Sequence, residues 1–186
     1  MHPVKDRFCS FCGAPYAEPL AYPRACPNAA CGVKVWSNPI PVCVVLVPVR
    51  SGAATGLLAL RRGIEPRIGM LAIPGGFLED HESWQAGGAR EVREELGLSI
   101  DPASLRPLWY ASSEPRPNRV LLFSVAPAVD LADLPPFVAN HETIERGVVW
   151  GPDGLDTVCA FSLHVEAARM WFARENITGP HAWSQG

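Results

Sequence analysis

The chain has 186 residues, of which 48% are apolar and 19% charged, a globular composition and not a disordered one. Its net charge of −3 gives no general attraction to nucleic acid or to an anionic membrane. The longest apolar stretch, Pro39 to Val49, is too short to cross a bilayer and holds three prolines, and the N-terminus (MHPVKDRFCSFCG) lacks the apolar core of a secretory signal, so the expected location is cytoplasmic.

Residues 1–36 differ in character from the rest of the chain. They are rich in Cys, Pro, Ala and Tyr and carry a net charge of +2, which leaves −5 on residues 37–186. Cys9-x2-Cys12-Gly13 and Cys26-x4-Cys31-Gly32 have the look of two knuckles of a zinc ribbon. Zinc takes four tetrahedral ligands and thiolates suit it; a glycine after the second cysteine lets the backbone fold round the ion. Cysteines clustered without an export signal read as metal ligands before disulfides. Cys9, Cys12, Cys26 and Cys31 are therefore expected to hold a structural Zn²⁺, which would supply much of the folding energy of so small a segment. Dimerisation, nucleic-acid contact and shaping one wall of an active site are further uses open to it. Ser37 to Pro41 reads as a hinge, giving two domains, 1–36 and 37–186.

The remainder mixes strands and helices. Val42 to Val49 is a β-branched run expected to be a buried strand, and Gly56 to Arg62 its partner after a turn at Ser51-Gly52. Gly69 to Ile73 is short and apolar and runs into a Pro74-Gly75-Gly76 turn. Ser83 to Leu96 is expected to be a helix stopped by Gly97. Leu105 to Ser112, Arg119 to Ala126 and Ile144 to Trp150 read as strands. Ser162 to Glu175 reads as an amphipathic helix with Val165, Ala168, Met170, Trp171 and Phe172 mainly on one side. Cys43 reads as buried packing, and Cys159 has no visible partner.

The densest signal lies between Gly76 and Leu98 (GFLEDHESWQAGGAREVREELGL). Glu91, Glu94 and Glu95 fall at i, i+3 and i+4 of a helix and share one sector of its surface. Clustered carboxylates repel one another unless cations lie between them. Hard divalent ions such as Mg²⁺ or Mn²⁺ want oxygen ligands and commonly bridge to phosphate oxygens. Arg90 can pair with Glu94 across one turn, and Val92 and Leu96 face the core. Glu82 reads either as a carboxylate supporting the site or as an acidic residue at the helix start.

Gly76, Glu82, Arg90, Glu91, Val92, Glu94, Glu95, Gly97 and Leu98 fill the pattern G-x5-E-x7-R-E-U-x-E-E-x-G-U, where U is a bulky aliphatic. This resembles the signature of the Nudix hydrolases. The resemblance implies an α/β (α+β) fold, an α/β/α sandwich with a mixed sheet, here preceded by the small zinc ribbon. It also implies the Gly75 carbonyl as a further metal ligand, a homodimer, and hydrolysis of the diphosphate linkage in a nucleoside diphosphate derivative, releasing a nucleoside monophosphate. A carboxylate outside the pattern often completes such a site as base or ligand; Glu142 and Glu145 occupy a similar place, and Glu114 is a further candidate.

A ribbon before the box looks like the NADH pyrophosphatase subgroup and related bacterial proteins. That subgroup carries S-Q-P-W-P-F-P after the box, whereas this chain has Ser113-Glu114-Pro115-Arg116-Pro117-Asn118-Arg119. Arg116 and Asn118 replace two aromatic rings, which leaves NADH, FAD and ADP-ribose as substrate candidates. Arg62, Arg67, Arg116 and Asn118 are the expected substrate-binding residues, with Arg61 and Arg119 as further cations. The competing reading is a non-catalytic nucleotide-ligand sensor or nucleic-acid adaptor on the same fold. Removal of RNA caps would call for a basic groove, of which the acidic catalytic portion gives little sign.

Overall fold

The structure, a computed structural model, describes residues 7–17, 20–113 and 118–186. It divides into two compact units, Met1–Pro39 and Ile40–Gly186. In the first unit the proline-rich sequence forms two short antiparallel strands, β1 (Arg24–Ala25) and β2 (Lys34–Val35), with Arg24 opposite Val35. The other described residues of this unit form turns and irregular segments, with one antiparallel bridge between Phe8 and Pro15. The Arg24 guanidinium lies 3.9 Å from the centre of the Tyr22 ring and 5.0 Å from that of Tyr16.

The second unit is organised by β3 (Ile40–Ser51), buried without a break from Cys43 to Val49. A run of β-branched side chains suits a strand with both faces covered. It turns at Ser51-Gly52 into β4 (Ala54–Arg62), and the two pair antiparallel from Val47 to Ser51. Below that point they part, and the segment Leu71–Phe77 fills the fork. There β5 (Leu71–Ala72) pairs with β4, and β6 (Gly75–Phe77) pairs with β3. The expected Pro74-Gly75-Gly76 turn is thus corrected: Gly75 and Gly76 lie in a strand. A Cβ on Gly75 would collide with the Cys43 carbonyl, so glycine is what lets the two backbones approach.

Helix α1 (Trp84–Leu96) comes next. Ser83 caps it, accepting from the Ala86 amide at 3.2 Å, and Gly97 ends it in a left-handed conformation at φ 70°. A single 3₁₀ turn (Pro102–Ser104) leads to β7 (Arg106–Ser112) and β8 (Arg119–Val125). Strand β8 runs parallel to β3, pairing Ile40 with Arg119 through Leu46 with Val125. Beyond it lie β9 (Val129–Asp130), β10 (Thr143–Val149), the one-turn helix α2 (Leu155–Val158), helix α3 (Ser162–Arg174) and β11 (Trp183–Gln185). The sheet order is β11-β10-β4-β3-β8-β7.

Alternate side chains of β3 serve two cores. Val45, Val47 and Val49 pack with Leu58, Leu60 and Val148 under Val92 and Leu96 of α1. Val44 and Leu46 pack with Leu57, Phe123 and Val149 under Val165, Ala168, Trp171 and Phe172 of α3. This is a helix–sheet–helix sandwich on a mixed sheet, as expected. Each fully buried aliphatic side chain contributes roughly 1.5–3 kcal/mol.

Two further expectations need correction. Met170 is on the exposed side of α3; the buried stripe instead includes His164 and Ala167. The expected elements also omit β11, which pairs with β10 from Gly147 to Val149. Gly147 leaves the space that the Trp183 ring occupies. Among the described residues, no helix is long and apolar enough to cross a membrane.

Candidate active site and metal centre

Helix α1 presents its carboxylates in unequal surroundings. Glu91 and Glu95 are buried at 8% and 7% exposure, whereas the Glu94 side chain is half exposed. Arg90 organises the group, spending all five of its guanidinium N–H donors. It contacts both Glu82 oxygens at 2.8 and 3.2 Å, Glu91 at 2.7 Å, Glu94 at 3.1 Å and the Phe77 carbonyl at 3.0 Å. The sequence pointed to the Arg90–Glu94 pair; the structure extends Arg90 to four partners. Glu82 is Arg90's anchor, and the Arg90 hydrogen bonds hold its carboxyl below the usual range.

Glu95 turns the other way and accepts from the Gly75 amide at 2.8 Å. The helix is thereby stitched to β6, in the fork of the sheet. Gly76 lies directly against Glu91: a Cβ there would collide with the carboxylate. Burial pushes the Glu95 carboxyl up to about 8, with Glu91 and Glu142 adding repulsion against the opposing Gly75 amide and Arg62 charge. Burial also raises Glu91, despite Arg90. Two buried acids that resist ionising side by side form an oxygen donor set suited to a hard divalent cation, whose charge would offset both burial and repulsion.

The carboxylates outside the box are placed differently. Glu142 lies in the turn before β10, its charge felt at both Glu91 and Glu95, with His141 Nε2 at 3.3 Å from its Oε1. Glu145 is engaged elsewhere, by Arg61 Nε, by Gln185 Nε2 at 2.8 Å and by Trp183 Nε1 at 3.4 Å. The Arg61 hydrogen bond holds its carboxyl below the usual range.

Arg62 is close enough to act on Glu95, but it spends donors on the carbonyls of Pro66 at 2.9 Å and Ile64 at 3.3 Å. Arg67 is exposed on that same loop, and Asn118 is exposed just before β8. Arg116 and Glu114 lie outside the described residues. Arg119 sets its guanidinium 5.4 Å from the centre of the half-exposed Phe77 ring. Trp84 and Trp109 line a cleft of about 400 Å³ with Tyr110, Leu122 and Phe123, a size that ligand pockets occupy.

Two side chains that support this region have no sequence signal. His164, buried in the first turn of α3, accepts from the Ile73 amide at 3.2 Å and so holds the segment leading to Gly75. Burial depresses its pKa to about 3, which keeps it a neutral acceptor. Arg146, 3% exposed, donates to the carbonyls of Leu96 at 2.9 Å, Pro135 at 2.8 Å and Gly186 at 3.1 Å. It thereby satisfies a carbonyl at the C-terminal end of α1.

In the N-terminal unit the thiols of Cys9, Cys12, Cys26 and Cys31 all lie within 4.8 Å of one another. Cys9 and Cys31 are 3.9 Å apart, and Cys12 and Cys26 3.5 Å. Gly13 and Gly32 close the two knuckles at φ 73° and 61°, their amides donating to the carbonyls of Cys9 and Asn28. Hydrogen bonding from the Phe11 amide holds the Cys9 thiol down to about 6, and burial pushes Cys26 up to about 12. Four thiols so placed could hold one tetrahedral metal ion. Among the described residues, the α1 carboxylates are not gathered to that degree.

The fold and the carboxylate helix define a class. The model of the NUDIX domain matches residues 39–178, and the chain belongs to that family. Among curated proteins it is 32% identical over 111 residues to the NAD-capped RNA hydrolase NudC of Deinococcus radiodurans, covering 60% of this chain and 37% of that one. The chain spans about two fifths of the length of the curated relatives it matches. A NUDIX hydrolase from Nitrosomonas europaea superposes with a TM-score of 0.66 at 24% identity, covering 94% of this chain and 96% of that one. The NUDIX domain of Shewanella oneidensis NrtR, solved with ADP ribose, gives a TM-score of 0.61 at 14% identity over 76% of this chain and 90% of that one.

Proposed function

We propose that this chain is a Mg²⁺- or Mn²⁺-dependent pyrophosphohydrolase. It would cleave the diphosphate linkage of a nucleoside diphosphate derivative and release a nucleoside monophosphate. One observation carries the reading: Glu91 and Glu95 are buried together on α1, fastened to Arg90 and to the Gly75 amide. Glu91, Glu94, Glu95 and the Gly75 carbonyl are the proposed ligands. A bound ion would polarise a phosphoryl oxygen and lower the pKa of an attacking water. The chain's own part is to hold these oxygens in place. Arg90 fixes Glu91 and Glu94 and keeps their charge tolerable, Gly75 orients Glu95, and Glu142 supplies the carboxylate outside the box. Arg62, Arg67 and Asn118 are the proposed substrate contacts, and the aromatic cleft beside Trp84 is the proposed seat of the nucleoside end. The N-terminal thiols are the proposed seat of a structural Zn²⁺.

The substrate panel is NADH, NAD⁺, FAD and ADP-ribose, to which the name of the Deinococcus relative adds an NAD-capped RNA. The test is nucleoside monophosphate release from each, with Mg²⁺, with Mn²⁺ and with chelator, and with Glu95→Gln alongside. Metal-dependent release lost in the variant supports the enzyme. Tight binding of one compound without release from any would support the sensor reading instead.

A further inference from the structure

The turn that carries Glu142 is joined to helix α1 by one side chain. Asn140 Oδ1 accepts from the amides of both Glu142 and Thr143, each at 2.8 Å. Asn140 Nδ2 donates to the Glu94 carbonyl at 3.0 Å. That carbonyl lies in the last turn of the helix, where acceptors have no partner within the helix itself. A single orientation of the amide satisfies all three contacts, because its oxygen must face two N–H groups and its nitrogen a carbonyl. From the far side, the Gly63 amide donates to the Glu142 carbonyl at 2.7 Å. A side chain at Gly63 would collide with the His141 carbonyl, so the turn sits directly on the β4 end. The backbone of Glu142 is therefore gripped at both its N–H and its C=O. Asn140 relates that grip to the helix bearing Glu91, Glu94 and Glu95.

We infer that Asn140 is a positioning residue, fixing the turn that bears Glu142 to the helix that bears Glu91, Glu94 and Glu95, and acting on turnover through Glu142. This rests on the proposed role of Glu142 as the carboxylate outside the box. An asparagine that merely stabilised the turn would lower stability without its effect on turnover depending on Glu142. The experiment is a double-mutant cycle of Asn140→Ala and Glu142→Gln. Turnover is measured with Mn²⁺ on whichever member of the substrate panel is hydrolysed fastest, and amide hydrogen exchange is followed in all four proteins.

The expected result is a loss of about tenfold in kcat for each single variant, in the range typical of groups that orient a metal site. The double variant is expected to fall no further than the weaker single by more than roughly twofold, since the two residues act as one. Exchange at the Glu142 and Thr143 amides should quicken in Asn140→Ala while that of α1 stays slow. Multiplying losses in the double variant, or unchanged kcat in Asn140→Ala, would overturn the inference while leaving the enzyme reading intact. Unchanged kcat in Glu142→Gln would instead remove the role given to Glu142, and the inference with it. No turnover of any panel member by the unmodified chain would remove both. Should Asn140→Ala not fold, Asn140→Ser replaces it in the cycle: its hydroxyl can serve the turn amides but is too short to reach the Glu94 carbonyl.

Discussion

Four thiols in the N-terminal unit lie within 4.8 Å of one another, drawn together by two glycine-closed knuckles. The carboxylates of α1 are instead each held by a partner of the chain's own: Glu91 and Glu94 by Arg90, Glu95 by the Gly75 amide. The first arrangement is a tight cluster of four thiols, a number that would complete the coordination of a zinc ion. The second keeps its oxygens spread along a helix and a strand, as a site needs if water and phosphate oxygens are to share the ion. Gathering the ligands suits an ion that holds a fold; spreading them suits an ion that must also meet a substrate.

Substitutions in the two regions should therefore fail in different ways. The largest effect is expected from Glu95→Gln. Its kcat should fall by more than the roughly 10–100-fold typical of residues that only support metal ligands, with the circular dichroism spectrum unchanged. Near-normal turnover by the folded variant would refute the ligand assignment. Arg90→Lys keeps the charge but loses the five-donor fork, and a loss of roughly 10–100-fold is expected. If Arg90 acts by orienting Glu91 and Glu94, Mn²⁺ affinity followed by electron paramagnetic resonance should weaken in parallel; an unchanged affinity would contradict that role.

Cys26→Ser should leave the α1 site able to bind Mn²⁺ while lowering bound zinc by about one ion per chain and destabilising the N-terminal unit. Undiminished zinc would sink the ribbon assignment. Acidity gives a further contrast. A glutamate ionises near pH ~4.3 in the unfolded chain, but Glu95 does so at about 8 in the folded one. Its contribution to stability is complete below the lower value and is lost as pH rises to the higher. In buffer free of divalent ions, unfolding free energy should fall across that window by an amount on the order of a few kcal/mol. In the Glu95→Gln protein that fall should be smaller, the remainder belonging to Glu91, whose carboxyl is also raised by burial; an identical slope in both would show that Glu95 is not a source of it. The smallest effect belongs to Glu145→Gln, whose kcat should stay within roughly twofold, since its carboxylate is engaged by Arg61, Trp183 and Gln185 and shares no partner with the α1 carboxylates.

The parts of the molecule legible in the sequence are those whose cause is local. Helix α1 announces itself through its Ser83 cap, its Val92–Leu96 apolar spacing and its Gly97 stop, and the knuckles through Gly13 and Gly32. The strand character of Gly75–Phe77 is invisible because glycines carry no side-chain pattern, and its pairing with β3 comes from a partner about thirty residues away. Asn140 and His164 look like ordinary polar residues until the fold sets one beside the Glu94 carbonyl and the other beneath Ile73. Between Glu142 and Glu145 the sequence could not choose. Two adjacent strands set their surroundings apart, by bringing Arg61 and Gln185 to the second of them.

The fork between β3 and β4 has a consequence for how the molecule reaches its working form. Strand β3 takes β4 as a near neighbour in the chain, β6 from further on, and β8 in parallel from beyond the helix. Pairings so distant in sequence close late, after the loop entropy of the intervening chain has been overcome. A nascent chain can hold helix α1 with all three glutamates before Gly75 and Glu142 have reached them. Competence for chemistry should therefore appear in refolding as a step after helix formation, coincident with completion of the sheet.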